Sequence, residues 1–243
     1  ADFDNDGDLD AYLVQGGELL KDQRPPNQLF VNRGDGYFTE LPNAGGADDS
    51  GYGMGAATGD YDNDGNLDLF FTTVYGTASF GRKNNPVLFR SNGEFAVTNV
   101  SAAAGVAGLS PTYQSAWADF NNDGSLDLIS GGQLFRNTVG EQAWIEIQLA
   151  GDGVKVNRSA IGAQVRIKVG EKIYTRQVEA GTGEGNQNQL RLHFGLGAHE
   201  GPVNIEITWP GSTAAAPRVQ NVQGLAVKRL HTVKCSGAFA DQE

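Results

Sequence analysis

Short apolar runs separated by glycine-containing turns occupy the whole chain. Up to residue 140 they read as "LDAYLV", "NQLFVNRGDGYF", "LDLFFTTV", "PVLFRSNGEF", "LDLIS" and "GQLFRNTVG", rich in β-formers and too brief for amphipathic helices. "YGMGAATGDY" and "YQSAWADF" are strands of small residues, suited to a crowded inner position. Beyond residue 141 the pattern changes to strict alternation in "AWIEIQL", "AQVRIKV", "KIYTRQVEA", "QLRLHFGLG", "PVNIEITWP" and "LAVKRLHTV". Ile145, Ile147 and Leu149 point one way with Trp144, Glu146 and Gln148 opposite, and Val203, Ile205, Ile207 and Trp209 repeat the scheme. The pattern predicts an all-β chain whose last part is a small β-sandwich or barrel of six strands.

Three of the early strands follow an acidic turn. "ADFDNDGDLD" at 1–10 returns as "GDYDNDGNLD" at 59–68 and "ADFNNDGSLD" at 118–127, a D-x-[DN]-x-D-G-x-L-D pattern spaced by 58 and 59 residues. That spacing has room for a four-stranded unit with its turns. Residues 1–140 hold about two and a half such units.

Carboxylates about 4 Å apart repel by roughly 1 kcal/mol in water and about 4 at an effective dielectric of 20, so three or four converging on a point require a cation. An extended strand would hold alternate side chains about 6.8 Å apart, so the loops must coil, and Gly7 tolerates the tight turn. The candidate side-chain ligands are Asp2, Asp4, Asp6 and Asp10; Asp60, Asp62, Asp64 and Asp68; and Asp119, Asn121, Asp123 and Asp127. A backbone carbonyl from Asp8, Asn66 or Ser125 would complete each set. All-oxygen donors in this number favour Ca²⁺ over Mg²⁺. An EF-hand would need Glu at the twelfth position, where these loops have Leu13, Phe71 and Ser130. Asn121 removes one negative charge, which makes the third site the weakest of three expected Ca²⁺ sites.

The loops, their spacing and the "LF-x-N" strand resemble the FG-GAP or VCBS-type repeats that form β-propeller blades in many secreted proteins. The resemblance implies a partial propeller of about two and a half blades over 1–140, with calcium held between the first two strands of a blade. Propellers close with about 4 to 8 blades, so further blades upstream are expected. The stretch "NRSAIGAQVRIKVG", then "VEAGTGEGNQNQLRLHFGLG" and "VNIEITWPG" is similar to the ASPIC/UnbV domain, which follows such repeats in the cartilage acidic protein family and in bacterial relatives. Asn157, Gly162, His193, Gly195, Gly197, Trp209 and Pro210 carry most of that match, while Gly183, Glu184, Gly185 and Asn186 depart from it. The expected domains are 1–140 and 141–234. Residues 235–243 form a tail in which Cys235 resembles the start of an EGF-like segment.

Composition narrows the function. Of 29 acidic residues in the 243-residue chain, the loops hold five, four and three. Three bound Ca²⁺ would bring the net charge from −11 to −5, so the acidity is mainly site chemistry and opposes nucleic-acid binding. No run approaches the 18 apolar residues of a membrane span. With a single cysteine there is no disulfide framework, and calcium can serve as the staple in an extracellular, periplasmic or cell-surface setting. The sequence points to a secreted calcium-binding adhesion or interaction module with structural metal, whose partner is an extracellular protein or glycan. Its oligomeric state is open. Alternatives are a carbohydrate-binding propeller, with Tyr52, Tyr75, Tyr113 or Trp117 stacking on sugars, and a non-catalytic part of a polysaccharide lyase or hydrolase. No catalytic constellation is visible, so an enzyme is not expected. His193 and His231 are expected to face solvent, with His199 in a turn. Arg33, Gly34 and Asp35 form an RGD that also reads as an ordinary hairpin turn. Asn99 and Asn157 match glycosylation acceptors, the second reading as structural.

Overall fold

A computed structural model describes residues 1–16, 25–74, 85–181, 185–213, 216 and 218–236. Tyr75, Gly183, Glu184 and the tail beyond residue 236 lie outside the described residues. Among those described there is no α-helix, and no helix is long and apolar enough to cross a membrane.

The first part is three antiparallel sheets in sequence order. β1 (Ala11–Leu13), β2 (Gln28–Asn32) and β3 (Phe38–Leu41) form one. β4 (Gly53–Gly59), β5 (Asp68–Thr73), β6 (Val87–Ser91) and β7 (Val97–Asn99) form the second, and β8 (Ser115–Ala118), β9 (Asp127–Ser130) and β10 (Gln133–Phe135) the third. Each acidic turn leads into a strand, and the second lies between the first two strands of its sheet.

The middle sheet is covered on both faces, which is why β5 reads as an unbroken apolar run buried throughout. Leu69 and Phe71 join Phe3, Leu29, Leu67 and Phe89 against the first sheet. Phe70, one residue out of phase, joins Ala57, Leu88, Trp117, Leu126 and Leu128 against the third. β4 carries small residues because its neighbours come close: a Cβ on Gly53 would lie 2.5 Å from Phe71 and Val14.

The second part has its own core. β11 (Ala143–Ala150) lies between β14 (Leu192–Gly197) and β17 (Arg229–Lys234), which it pairs in parallel. β12 (Gln164–Val169) and β15 (Val203–Thr208) are the inner strands of a second sheet, flanked by β13 (Lys172–Gln177) and β16 (Val219–Leu225). Ile145, Ile147, Leu149, Val165, Ile167, Phe194, Ile205, Ile207 and Trp209 fill the space between. Among the described residues the arrangement is a sandwich of seven strands, not the six expected. The additional strand is β16, "VQNVQGL", an edge strand mostly open to solvent whose polar residues carry no apolar alternation.

Candidate metal centres

The three acidic loops share one local fold. The fourth residue of each, Asn5, Asn63 or Asn122, has positive φ (59°, 59° and 58°), and the glycine two positions on, Gly7, Gly65 or Gly124, has φ of 104°, 94° or 87°. Asn and Gly are the residues that adopt this conformation at little cost. The amide of Asp8, Asn66 or Ser125 then donates to the fifth-position carboxylate, Asp6, Asp64 or Asp123, at 2.8–3.0 Å.

The last aspartate of each loop is a brace. Asp10 accepts the amides of Phe3 and Asn32, Asp68 those of Tyr61 and Ser91, and Asp127 those of Phe120 and Asn137. Asn32, Ser91 and Asn137 occupy one register position in the "LF-x-N" or "LF-x-S" strands, and the Asn32 and Asn137 side chains return bonds to Leu9 O and Leu126 O. The motif thus ties each loop to the strand after the one it feeds, at β2, at β6 and just beyond β10.

The coil brings Asp2, Asp4 and Asp10 together with carboxylate oxygens within 4.8 Å of one another, and Asp60, Asp62 and Asp68 likewise. Asp6 and Asp64 stand outside these triads; Arg90 pairs with Asp64 at 3.1 Å and also with Asp62 Oδ2 in the second triad, leaving Asp62 Oδ1 free. Asp2 Oδ1, Asp60 Oδ1 and Asp62 Oδ1 are buried and lack a partner. Burial pushes Asp2 up to about 6 and Asp4 and Asp60 to about 7, and raises Asp10, Asp62 and Asp68 as well. Buried carboxylates of this kind hold their charge only beside a cation. Both triads have the donors and the spacing to hold a metal ion.

The third loop differs. Asp119 uses both oxygens inside its own loop, accepting Asp123 N at 3.1 Å and Gly124 N at 2.8 Å. Asn121 donates to Asp123, and Arg136 stands 3.6 Å from Asp123.

The sandwich rests directly on the loops. β13 donates Ile173 N to Asn5 O (3.0 Å) and Thr175 N to Asp2 Oδ2 (3.2 Å). β14 donates Gly197 N to Asn63 O (2.9 Å) and Gly195 N to Asp60 Oδ2 (3.0 Å). Each is an edge strand of its sheet, so the loops cover open strand edges. The three glycine carbonyls also accept from the sandwich: Gly7 from Thr175 Oγ1, Gly65 from Arg176 and Gly124 from His193 Nε2. Loops are linked to one another as well, Asn5 donating to Asn66 and Asn63 to Gly124 O.

Two of these residues are charged or titratable and buried. The Arg176 guanidinium lies 5.3 Å over the Phe194 ring; burial lowers its pKa, while Asp60 and Asp2 act to raise it. His193, expected at the surface, is 5% exposed, because its outward face meets the third loop. Burial pushes its imidazole down to about 4, and Nε2 carries the hydrogen toward Gly124 O at 3.0 Å. His199 follows a turn, and His231 on β17 bonds Ala226 O.

Other expected sites have structural partners. Trp117 is 3% exposed, with its indole N–H on Ala57 O, so it offers no face for a sugar; Tyr113 is exposed. The RGD is the turn between β2 and β3, where Arg33 N meets Tyr37 O as Asn92 N meets Ala96 O in the next sheet. A Cβ on Gly34 would stand 2.6 Å from Asp8, and one on Gly93 2.1 Å from Asn66, so both turns press on the same loop position. Asn157 bonds Ile161 through both amide atoms. Asn186 and Asn188 accept the amides of Ser115 and Trp117, closing the free edge of β8.

Residues 2–71 match the FG-GAP-like repeat family and residues 153–238 match the ASPIC and UnbV family. The chain therefore carries an FG-GAP-like repeat region followed by an ASPIC and UnbV region. It is distantly similar to cartilage acidic protein 1. The mouse protein is 27% identical over 169 residues, 62% of this chain and 24% of that protein. The human protein is 31% identical over 114 residues, 46% of this chain and 16% of that protein. The Xenopus tropicalis protein is 31% identical over 112 residues, with the same shares. The chain spans a quarter or less of the length of these relatives.

Proposed function

We propose that this chain is part of a non-catalytic interaction module, secreted or displayed at a cell surface, whose acidic loops bind Ca²⁺ as a structural metal. The observation that carries the reading is the set of buried, unpartnered oxygens on Asp2, Asp60 and Asp62 within the two aspartate triads. Oxygen-only donors in coiled loops suit Ca²⁺, which accepts irregular geometry. The three sequential sheets are blades of the propeller type, and the partner, an extracellular protein or glycan, docks on this assembly. The third loop is the weak site, since Asp119 is already engaged within it.

Calorimetric titration of the chelator-stripped chain with Ca²⁺ tests this. Two sites with a weaker third are expected, and Asp62→Ala should remove one of the two. A chain that takes up no Ca²⁺, or a variant with undiminished stoichiometry, would refute the assignment.

A further inference from the structure

The first aspartate of a loop is shared. In the first loop Asp2 Oδ2 accepts from Thr175 N and Oδ1 is left buried and unpartnered; in the second Asp60 Oδ2 accepts from Gly195 N and Gly65 N, and Oδ1 is again left unpartnered. The pairing repeats two residues along each strand, where Ile173 N and Gly197 N hold the carbonyls of Asn5 and Asn63. Two different strands, one from each sheet of the sandwich, thus grip two repeats of one loop with the same two-bond clamp. Arg176 follows Thr175, and its buried charge acts on both Asp2 and Asp60. Among the described residues the third loop has no such clamp, and there Asp119 satisfies its own oxygens.

From this repeated geometry we infer that the sandwich is a working part of the first two metal sites: β13 and β14 orient Asp2 and Asp60 for the ion, so metal binding and sandwich docking strengthen each other. The inference rests on the metal reading above. Its physical basis is that a carboxylate fixed through one oxygen by a backbone donor presents the other in a set direction, and partners of this kind change metal affinity by about 10- to 100-fold. Linkage makes the effect reciprocal, so a metal that is bound more tightly by the docked state must itself favour docking. The third site lies outside the linkage.

Gly195 offers the direct test. Its φ is ordinary, yet an added Cβ would stand 2.1 Å from Asp60 Oδ2 and 2.5 Å from the Asn63 backbone, so Gly195→Ala acts by overlap at the clamp. Calcium titration of this variant should show one site weakened about 10- to 100-fold, the same site that Asp62→Ala removes, with the others retained. In the unaltered chain, hydrogen exchange at the amides of Ile173, Thr175, Gly195 and Gly197 should slow on adding Ca²⁺, more than at β16, which serves as the internal control and needs no variant to fold. Full affinity in a folded Gly195→Ala chain, or exchange at those four amides indifferent to Ca²⁺ that the chain does bind, would overturn the linkage alone. A chain that binds no Ca²⁺ overturns the metal reading and the linkage with it.

Discussion

At the scale of the residue, one motif divides three tasks among its aspartates. The last anchors backbone amides, the fifth closes the turn, and the first and third, with the last, form the triads. The acids are legible in the sequence because their spacing is local. The brace by Asn32, Ser91 and Asn137 is visible there only as a repeated "LF-x-N" or "LF-x-S", with nothing to say what it bonds. His193 escapes such a reading, since alternation places it opposite the sandwich core but does not reveal a second surface lying there. Its role gives a pH prediction. Because the folded imidazole titrates near 4 and an unfolded one near 6.5, the unfolded chain takes up the proton first. The stabilisation is complete above pH 6.5 and is lost as pH falls toward 4, by about 3 kcal/mol at full development. Urea midpoints of metal-free protein between pH 7.5 and 4.5 should therefore decline less for His193→Gln, which keeps a donor for Gly124 O and does not titrate.

At the scale of the element, burial pattern separates strands by how many faces are covered. β5 is buried throughout because sheets lie on both sides, whereas β15 alternates because only one face meets the core. β13 starts as an alternating strand, then buries Tyr174, Thr175 and Arg176 in succession where it meets the loops. The reading of small-residue strands holds for the same reason of space, since a Cβ on Gly59 would stand 2.9 Å from the Trp117 indole. Ile147, fully buried in β11, sits at the centre of the sandwich. Ile147→Ala should cost about 2–5 kcal/mol, the range for deleting a large aliphatic side chain from a packed core. Denaturant unfolding checks this, and a loss below about 1 kcal/mol would mean that the core closes over the gap.

For the whole molecule, the loops are the seam between two β regions. Charge from one side and backbone donors from the other meet there, with Arg176 as a fixed internal cation. Removing a metal from this seam should be felt as global stability. A ligand bound only by the native state adds about 2.7 kcal/mol per site at a hundredfold excess over its dissociation constant, and each kcal/mol moves the melting point of a chain this size by about 2–4 °C. Calorimetric scans with Ca²⁺ and with EGTA should differ by several degrees or more; coincident transitions would count against a structural metal.

The sequence by itself determined the all-β class, the three coiled loops and the strands they feed. Those features depend on spacings of two to ten residues, over which backbone geometry is nearly fixed by residue type. Tertiary structure alone decided which surface covers the loops. Contacts such as Thr175 with Asp2 and Gly195 with Asp60 join residues more than a hundred positions apart, and the donors are backbone amides that every residue but proline carries. No residue type marks such a donor in advance. It becomes specific only when two folded edges are brought face to face.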